Sequence, residues 1–179
     1  MSTPRSQSGL SLIELVMFIV IVGIAVAGVL SVMNITTQHS ADPMLRKQAL
    51  AIAEALLEEI ELQPFTYCDP DDANAASAAD ATGCATTVEA LGPEIGETRY
   101  AYDNVNDYHG FSMLPIVDIT GSPITGLGAY TASVNITQAG ATFSLAAAEV
   151  LQIDVRVVSG STDITLTGYR FRYAPNAVP

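Results

Sequence analysis

The sequence predicts an α+β protein: a long N-terminal helix, first apolar and then amphipathic, packed on an antiparallel β-sheet. Three observations predict it. Residues 10–30 carry one charge, Glu14, and no proline. Residues 44–63 repeat apolar side chains at helical spacing. Beyond Pro64 that period gives way to short alternating runs separated by Gly, Asn, Asp and Ser clusters.

The apolar segment comes first. Its length at about 1.5 Å per residue makes about 31 Å of helix, enough to cross the hydrocarbon core of a bilayer. A carboxylate inside such a segment costs about 2.5–3.5 kcal/mol at mid-membrane and less near an end, which makes Glu14 a functional-site candidate. A secretory signal peptide would place a small-residue cleavage site after a shorter apolar run. Here the run is longer, and the small residue, Gly9, precedes it. A plain signal anchor accounts for the length but gives Glu14 no purpose.

The row Gly9-Leu10-Ser11-Leu12-Ile13-Glu14-Leu15 resembles the type III signal of type IV pilins and pseudopilins, written G-F-[ST]-L-[IV]-E. The resemblance implies that a prepilin peptidase cuts after Gly9 and N-methylates Leu10, which stands where phenylalanine is usual. It implies that Glu14 compensates the terminal amine of a neighbouring subunit in a filament. A subunit at the extreme tip has no earlier neighbour, so retention of Glu14 places this one beneath another subunit. Arg5 in the polar leader has the sign of a segment retained on the cytoplasmic side. The expected location is therefore the inner membrane, crossed once, with the head in the periplasm and then in a surface pilus. The implied partners are other pilin subunits, the prepilin peptidase and the pilus assembly platform.

The expected organisation is a leader over 1–9, a membrane and filament-core helix over 10–33, an amphipathic helix over 34–63, and a β-rich head over 64–179. Gly23 and Gly28 are weak points of the first helix, each costing about 1 kcal/mol relative to alanine. They serve either local melting during assembly, as the resemblance implies, or close helix–helix packing. Ala41-Asp42-Pro43 reads as a kink or a helix restart, with aspartate as N-cap. Leu45, Ala49, Ile52, Leu56 and Ile60, with Ala53 and Leu57, form the face that should pack on a sheet. Glu54, Glu58, Glu59 and Glu61 fall mostly on the other side, as solvated charge or as partners for a neighbouring subunit.

Cys68 and Cys84 are the only cysteines of the chain. An even count in an exported head favours a disulfide over a metal pair, and two thiols alone are too few for structural zinc. Closing such a loop contributes about 3 kcal/mol on the chain-entropy model. The loop, 68–84, holds Asp69, Asp71 and Asp72, the candidate calcium ligands. Counted from Asp69, however, Ala73, Asn74 and Asp80 stand where a calcium-binding EF-hand needs an oxygen side chain, a glycine and a glutamate. Asx turns are the favoured reading, and no cofactor is expected. Candidate strands are 98–102, 130–138, 150–158 and 164–173, with a hairpin at Ser159-Gly160-Ser161. The last run sorts Tyr169, Phe171 and Tyr173 to one face and Arg170 and Arg172 to the other.

Formal charge is −12 over 179 residues. Such acidity excludes a nucleic-acid footprint and suits a solvated surface or divalent cations. No nucleophile-elbow, paired-histidine or phosphate-loop motif is present, so the chain is expected not to be an enzyme. Asp103, Asp107 and His109 form a run that reads either as a catalytic or metal cluster or, preferably, as a turn whose side chains cap backbone groups.

Later stretches narrow the family. Residues 40–44 and 48–55, then Cys68-Asp69-Pro70-Asp71-Asp72, Asp103-Asn104-Val105-Asn106-Asp107-Tyr108-His109-Gly110-Phe111 and Gly168-Tyr169-Arg170-Phe171-Arg172-Tyr173 resemble the minor pilin D family of mannose-sensitive haemagglutinin (MSHA) pili. That resemblance implies a role in pilus biogenesis and hence in surface attachment. The alternatives are a pseudopilin of a type II secretion system and, in other classes, a membrane-tethered periplasmic enzyme or a calcium-binding adhesin.

Overall fold

The computed structural model describes Gly9 and residues 11–178, with the backbone alone described for residues 35–42. The chain forms two compact units that divide between Met44 and Leu45. Helix α1, Leu12–Leu62, supplies the regular structure of the first unit and opens the second.

Among its described residues the first unit has no buried core. Its segment Leu12–Asn34 has a mean hydropathy of 2.9 and none of it is buried. Leu12, Ile24 and Val32 are among its exposed side chains. A helix apolar on every side and buried on none requires lipid or other chains around it.

The second unit is built on four antiparallel strands: β1 Ser112–Met113, β2 Thr131–Gln138, β3 Val150–Ser159 and β4 Thr162–Phe171. They lie in the order β1-β2-β3-β4, a meander in which each strand pairs with the next in sequence. Register places like residues in rows across the inner face. Ala132, Val157 and Ile164 form one row, Val134, Val155 and Leu166 the next, and Ile136, Ile153 and Gly168 the third. Against these rows pack Ala49, Ile52, Ala53, Leu56 and Ile60, with Leu45 and Leu57 at the margin. That is the helix face expected from periodicity, and each fully buried aliphatic side chain contributes about 1.5–3 kcal/mol. Gly168 sets how closely the helix approaches. A Cβ there would lie 2.9 Å from Leu57 Cδ1 and closer still to Glu61 Oε1.

The structure departs from the sequence reading at four places, and at Pro43 it removes the restart but not the kink. The helix runs through Pro43 without a restart; a proline removes one helical hydrogen bond but need not end a helix whose turns continue on both sides of it. The side chain of Asp42, the expected cap, lies outside the described residues. Residues 98–102 are not a strand: Arg99–Ala101 is a 3-10 turn, closed by Ala101 N–H on Thr98 O at 2.7 Å. Arg99 there turns towards Glu59 of α1 instead of joining the sheet. The edge strand β1 was not expected, because two residues carry no alternation to read. Strand β4 begins at Thr162 and stops at Phe171, leaving Tyr173 beyond it.

Candidate functional site

Leu10 and residues 1–8, including Arg5, lie outside the described residues; Gly9 and Glu14 lie within them. A Cβ on Gly9 would meet nothing within 4 Å. The fold therefore imposes no packing reason for glycine at that place. Ser11 starts the helix. Its carbonyl accepts Glu14 N–H at 3.1 Å and Leu15 N–H at 3.2 Å, and its Oγ accepts Glu14 N–H at 3.3 Å. Ser11-Leu12-Ile13-Glu14 has the S-x-x-E spacing of a capped helix start. That signal was missed in the sequence because the same residues belong to the cleavage row. Glu14 sits in the first turn, where the helix dipole favours an acid. Gly23 and Gly28 also border open space, since a Cβ at either would meet nothing within 4 Å.

In the head, Cys68 and Cys84 form a disulfide with Cα atoms 5.5 Å apart. Cys68, Ala75 and Ala78 make a small second core beneath it, and Asn176 Nδ2 donates to Ala75 O and Ala78 O from the C-terminal tail. Asp72 organises this loop. Its Oδ1 accepts the N–H groups of Asn74 and Ala85, each at 2.9 Å. Its Oδ2 accepts those of Thr86 (2.7 Å) and Thr87 (2.9 Å) and the Thr86 hydroxyl at 3.0 Å. These donors, Thr87 first, hold the Asp72 carboxyl far below the usual carboxylate range. Both oxygens are occupied by these donors, and Asp72 is not in the oxygen group that Asp69 and Asp71 form. The oxygens of Asp69 and Asp71 gather instead with one from Asp103, and Asp69 Oδ1 also accepts Asp71 N–H at 2.7 Å.

The stretch 103–111 is a capped turn, as preferred from its residues. Asp107 Oδ2 accepts the N–H groups of Asp103 (3.0 Å) and Asn104 (2.8 Å), closing a capping box on the 3-10 helix Val105–Tyr108. His109 Nδ1 accepts Ile136 N–H at 3.2 Å, tying the turn to β2. Asp107 and His109 thus act on separate backbone groups, Asp103 gives its own N–H to Asp107, and its carboxylate lies with Asp69 and Asp71. Tyr102, Tyr108 and Phe111 pack edge to face, with centroids 5.0–6.2 Å apart.

Glu59 alone of the helix glutamates has a partner that periodicity did not show. Arg99 Nε and the Tyr108 hydroxyl both donate to its Oε1 at 2.8 Å. Tyr108 is buried, and burial and the adjacent Glu59 push its hydroxyl pKa upward. Arg170 of β4 and Arg172 just beyond it face inward: Arg170 donates to Gln63 O at 3.0 Å, and Arg172 lies 4.0 Å over the Phe65 ring and 4.5 Å over Tyr67. Tyr169 and Phe171 point outward and pack edge to face on Phe143.

A second acidic group was not legible in the sequence. Oxygens of Glu89, Glu94 and Asp107 lie within 4.8 Å of one another. Burial first, then the negative charges of Asp107 and Glu94, push the Glu89 carboxyl up to about 9. Burial raises Asp107 to about 6, and burial with the Glu97 side chain moves Glu94 upward.

A family model described as the prokaryotic N-terminal methylation motif matches residues 4–30. Comparison with curated proteins and with solved structures returned no match. The matched motif, the unburied apolar helix it largely covers and the α+β head together support a type IV pilin or pseudopilin, a structural rather than catalytic class anchored in the inner membrane, which associates with other pilins and with a prepilin peptidase.

Proposed function

We propose that this chain is a minor pilin of an MSHA-type type IV pilus, acting in pilus biogenesis and through it in surface attachment. In this reading the peptidase cuts between Gly9 and Leu10, Leu10 is N-methylated, and Glu14 pairs with the amine of an adjacent subunit. Residues 10–33 then pass from membrane to filament core, and the disulfide-bonded head is carried from the periplasm to the cell surface. The methylation motif over residues 4–30 supports the pilin part. The MSHA part rests on the sequence boxes that resemble that family, two of which lie side by side: oxygens of Asp69 and Asp71 are within 4.8 Å of one from Asp103. Boxes distant in sequence that form one structural unit are what a subfamily head should preserve.

A type II secretion pseudopilin shares the anchor and Glu14, so the test must separate the two. Deletion of the chain in its host is expected to reduce thin surface filaments and attachment while leaving secretion of folded exoproteins intact. Lost secretion with normal piliation assigns the chain to the pseudopilus instead.

A further inference from the structure

We propose that Glu89, Glu94 and Asp107 form a calcium site in the head. Calcium binds oxygen ligands at about 2.3–2.6 Å, so oxygens on one ion lie up to about 5 Å apart. Oxygens from these three residues all fall within 4.8 Å of one another. The set is all oxygen, without histidine or thiolate, which selects a hard cation.

A second observation concerns the polar atoms themselves. Asp107 is fully buried, and while its Oδ2 is held by two N–H groups, its Oδ1 has no hydrogen-bond partner. Both Glu89 oxygens are likewise buried without a partner, and so is Oδ1 of the neighbouring Asn106. A buried acceptor left unsatisfied is costly, and a charged one more so. Two such carboxylates, Glu89 and Asp107, in one group of three call for a cation to fill the gap. Among the described residues no basic side chain forms an ion pair with this group: the pairs join Arg99 to Glu59, Arg156 to Asp163 and Arg172 to Glu149. Arg172 feels the Glu89 charge, but less strongly than that of Glu149.

The backbone brings the ligands together in advance. Gly92 N–H donates to Asn106 O at 3.0 Å, which holds the segment carrying Glu89 and Glu94 against the turn carrying Asp107. Gly92 has φ +100°, a conformation glycine adopts without strain. A bound ion would therefore lock together two loops that this backbone bond already joins. The Asp69–Asp71–Asp103 group has no buried unpartnered oxygen and is not assigned a site. The proposal concerns the head alone and does not depend on which filament the chain enters.

The test uses the full-length chain in detergent, freed of metal by chelation. Calcium titrated at neutral pH should saturate at one ion per chain, by calorimetry, and raise the melting temperature by several degrees. Glu89→Gln and Glu94→Gln should each weaken calcium affinity tenfold or more. Their chelated forms should melt no lower than the chelated wild type, since each Gln keeps the side chain's size and adds no charge to the acidic group. Asp71→Asn should bind as the wild type does. No calcium-dependent shift at millimolar concentration overturns the site, as does a shift of equal size in every variant, which general screening of an acidic chain produces. Loss of binding in Asp71→Asn with retention in Glu89→Gln overturns it too.

Discussion

Asn104 and Thr66 meet side chain to side chain at 2.7 Å, and Thr66 passes the bond on to Cys68 O at 2.5 Å. Both residues are wholly buried. This chain of polar groups couples the capped turn at 103–108 to the entrance of the disulfide loop, with no water-exposed member.

Removing one member leaves a buried partner unsatisfied, at about 1–3 kcal/mol. Asn104→Ala should therefore lower the denaturation free energy of the head by about that amount, and Thr66→Val by a similar amount. Combined, the two changes should cost less than their sum, because the second removes a group the first has already orphaned. Urea unfolding of the four proteins measures this. Strict additivity means that the two side chains do not act through each other.

Asp72 gives the head a defined acid sensitivity. Its folded-state pKa is depressed, by backbone N–H donors of Thr87, Ala85 and Asn74 first. By linkage, a depressed carboxyl contributes stability that is complete above its unfolded pKa, 3.8, and lost as pH falls through the folded value. Asp72→Asn should thus unfold at lower denaturant than the wild type at pH 7. The gap should close as pH is taken from about 4 towards 2. A gap independent of pH assigns the loss to the lost acceptor geometry and not to charge.

The parts of this fold legible in sequence are those with a period. Ala49, Ile52, Leu56 and Ile60 recur at helical spacing, and Ile153, Val155 and Val157 at strand spacing, and both sets lie in the core. Sorting of Arg170 and Arg172 from Tyr169 and Phe171 was legible for the same reason. Which face was inner was not, since hydrophobicity alone points aromatics inward; here Phe65 and Tyr67 take the Arg172 guanidinium, and Phe143 covers the outer rings. Contacts between positions far apart, such as Glu59 with Arg99 or Glu89 with Asp107, carry no local pattern at all. Asp72 looked like a potential ligand because a carboxylate in a turn can hold either a cation or backbone N–H groups, and only the fold decides between them. The Ser11 cap was legible, but it shares its residues with the cleavage row, and one spacing hid the other.

Processing is tested at Gly9. Since a Cβ there meets nothing within 4 Å, Gly9→Ala and Gly9→Val should both fold and insert like the wild type. The bulkier valine should leave the full-length precursor in the membrane, and mass analysis of the N-terminus should find Leu10 as the methylated first residue in the wild type but not in Gly9→Val. A mature start beyond the apolar helix instead makes the segment an ordinary signal peptide.

Glu14 has one role within the chain and, under the proposed function, a second in the filament, and a pair of substitutions separates them. As the third residue of a helix capped by Ser11, its charge interacts favourably with the helix N-terminus, worth about 0.3–1 kcal/mol. Under the proposed function it is also a carboxylate in an apolar filament helix, and the methylated amine of an adjacent subunit would be its positive partner. The first role is met within the chain and is small; the second appears only on assembly. Glu14→Gln keeps the length and removes the charge. It should leave membrane insertion and Gly9 cleavage unchanged and reduce the subunit in sheared filaments several-fold relative to the membrane pool, in cells lacking the wild-type copy. Ser11→Ala weakens the cap and keeps the carboxylate, so it should leave incorporation near the wild-type level. Equal losses in both variants reduce Glu14 to a helix-capping acid. Full incorporation of Glu14→Gln removes the pairing role, and with it the reason for placing this subunit beneath another instead of at the extreme tip.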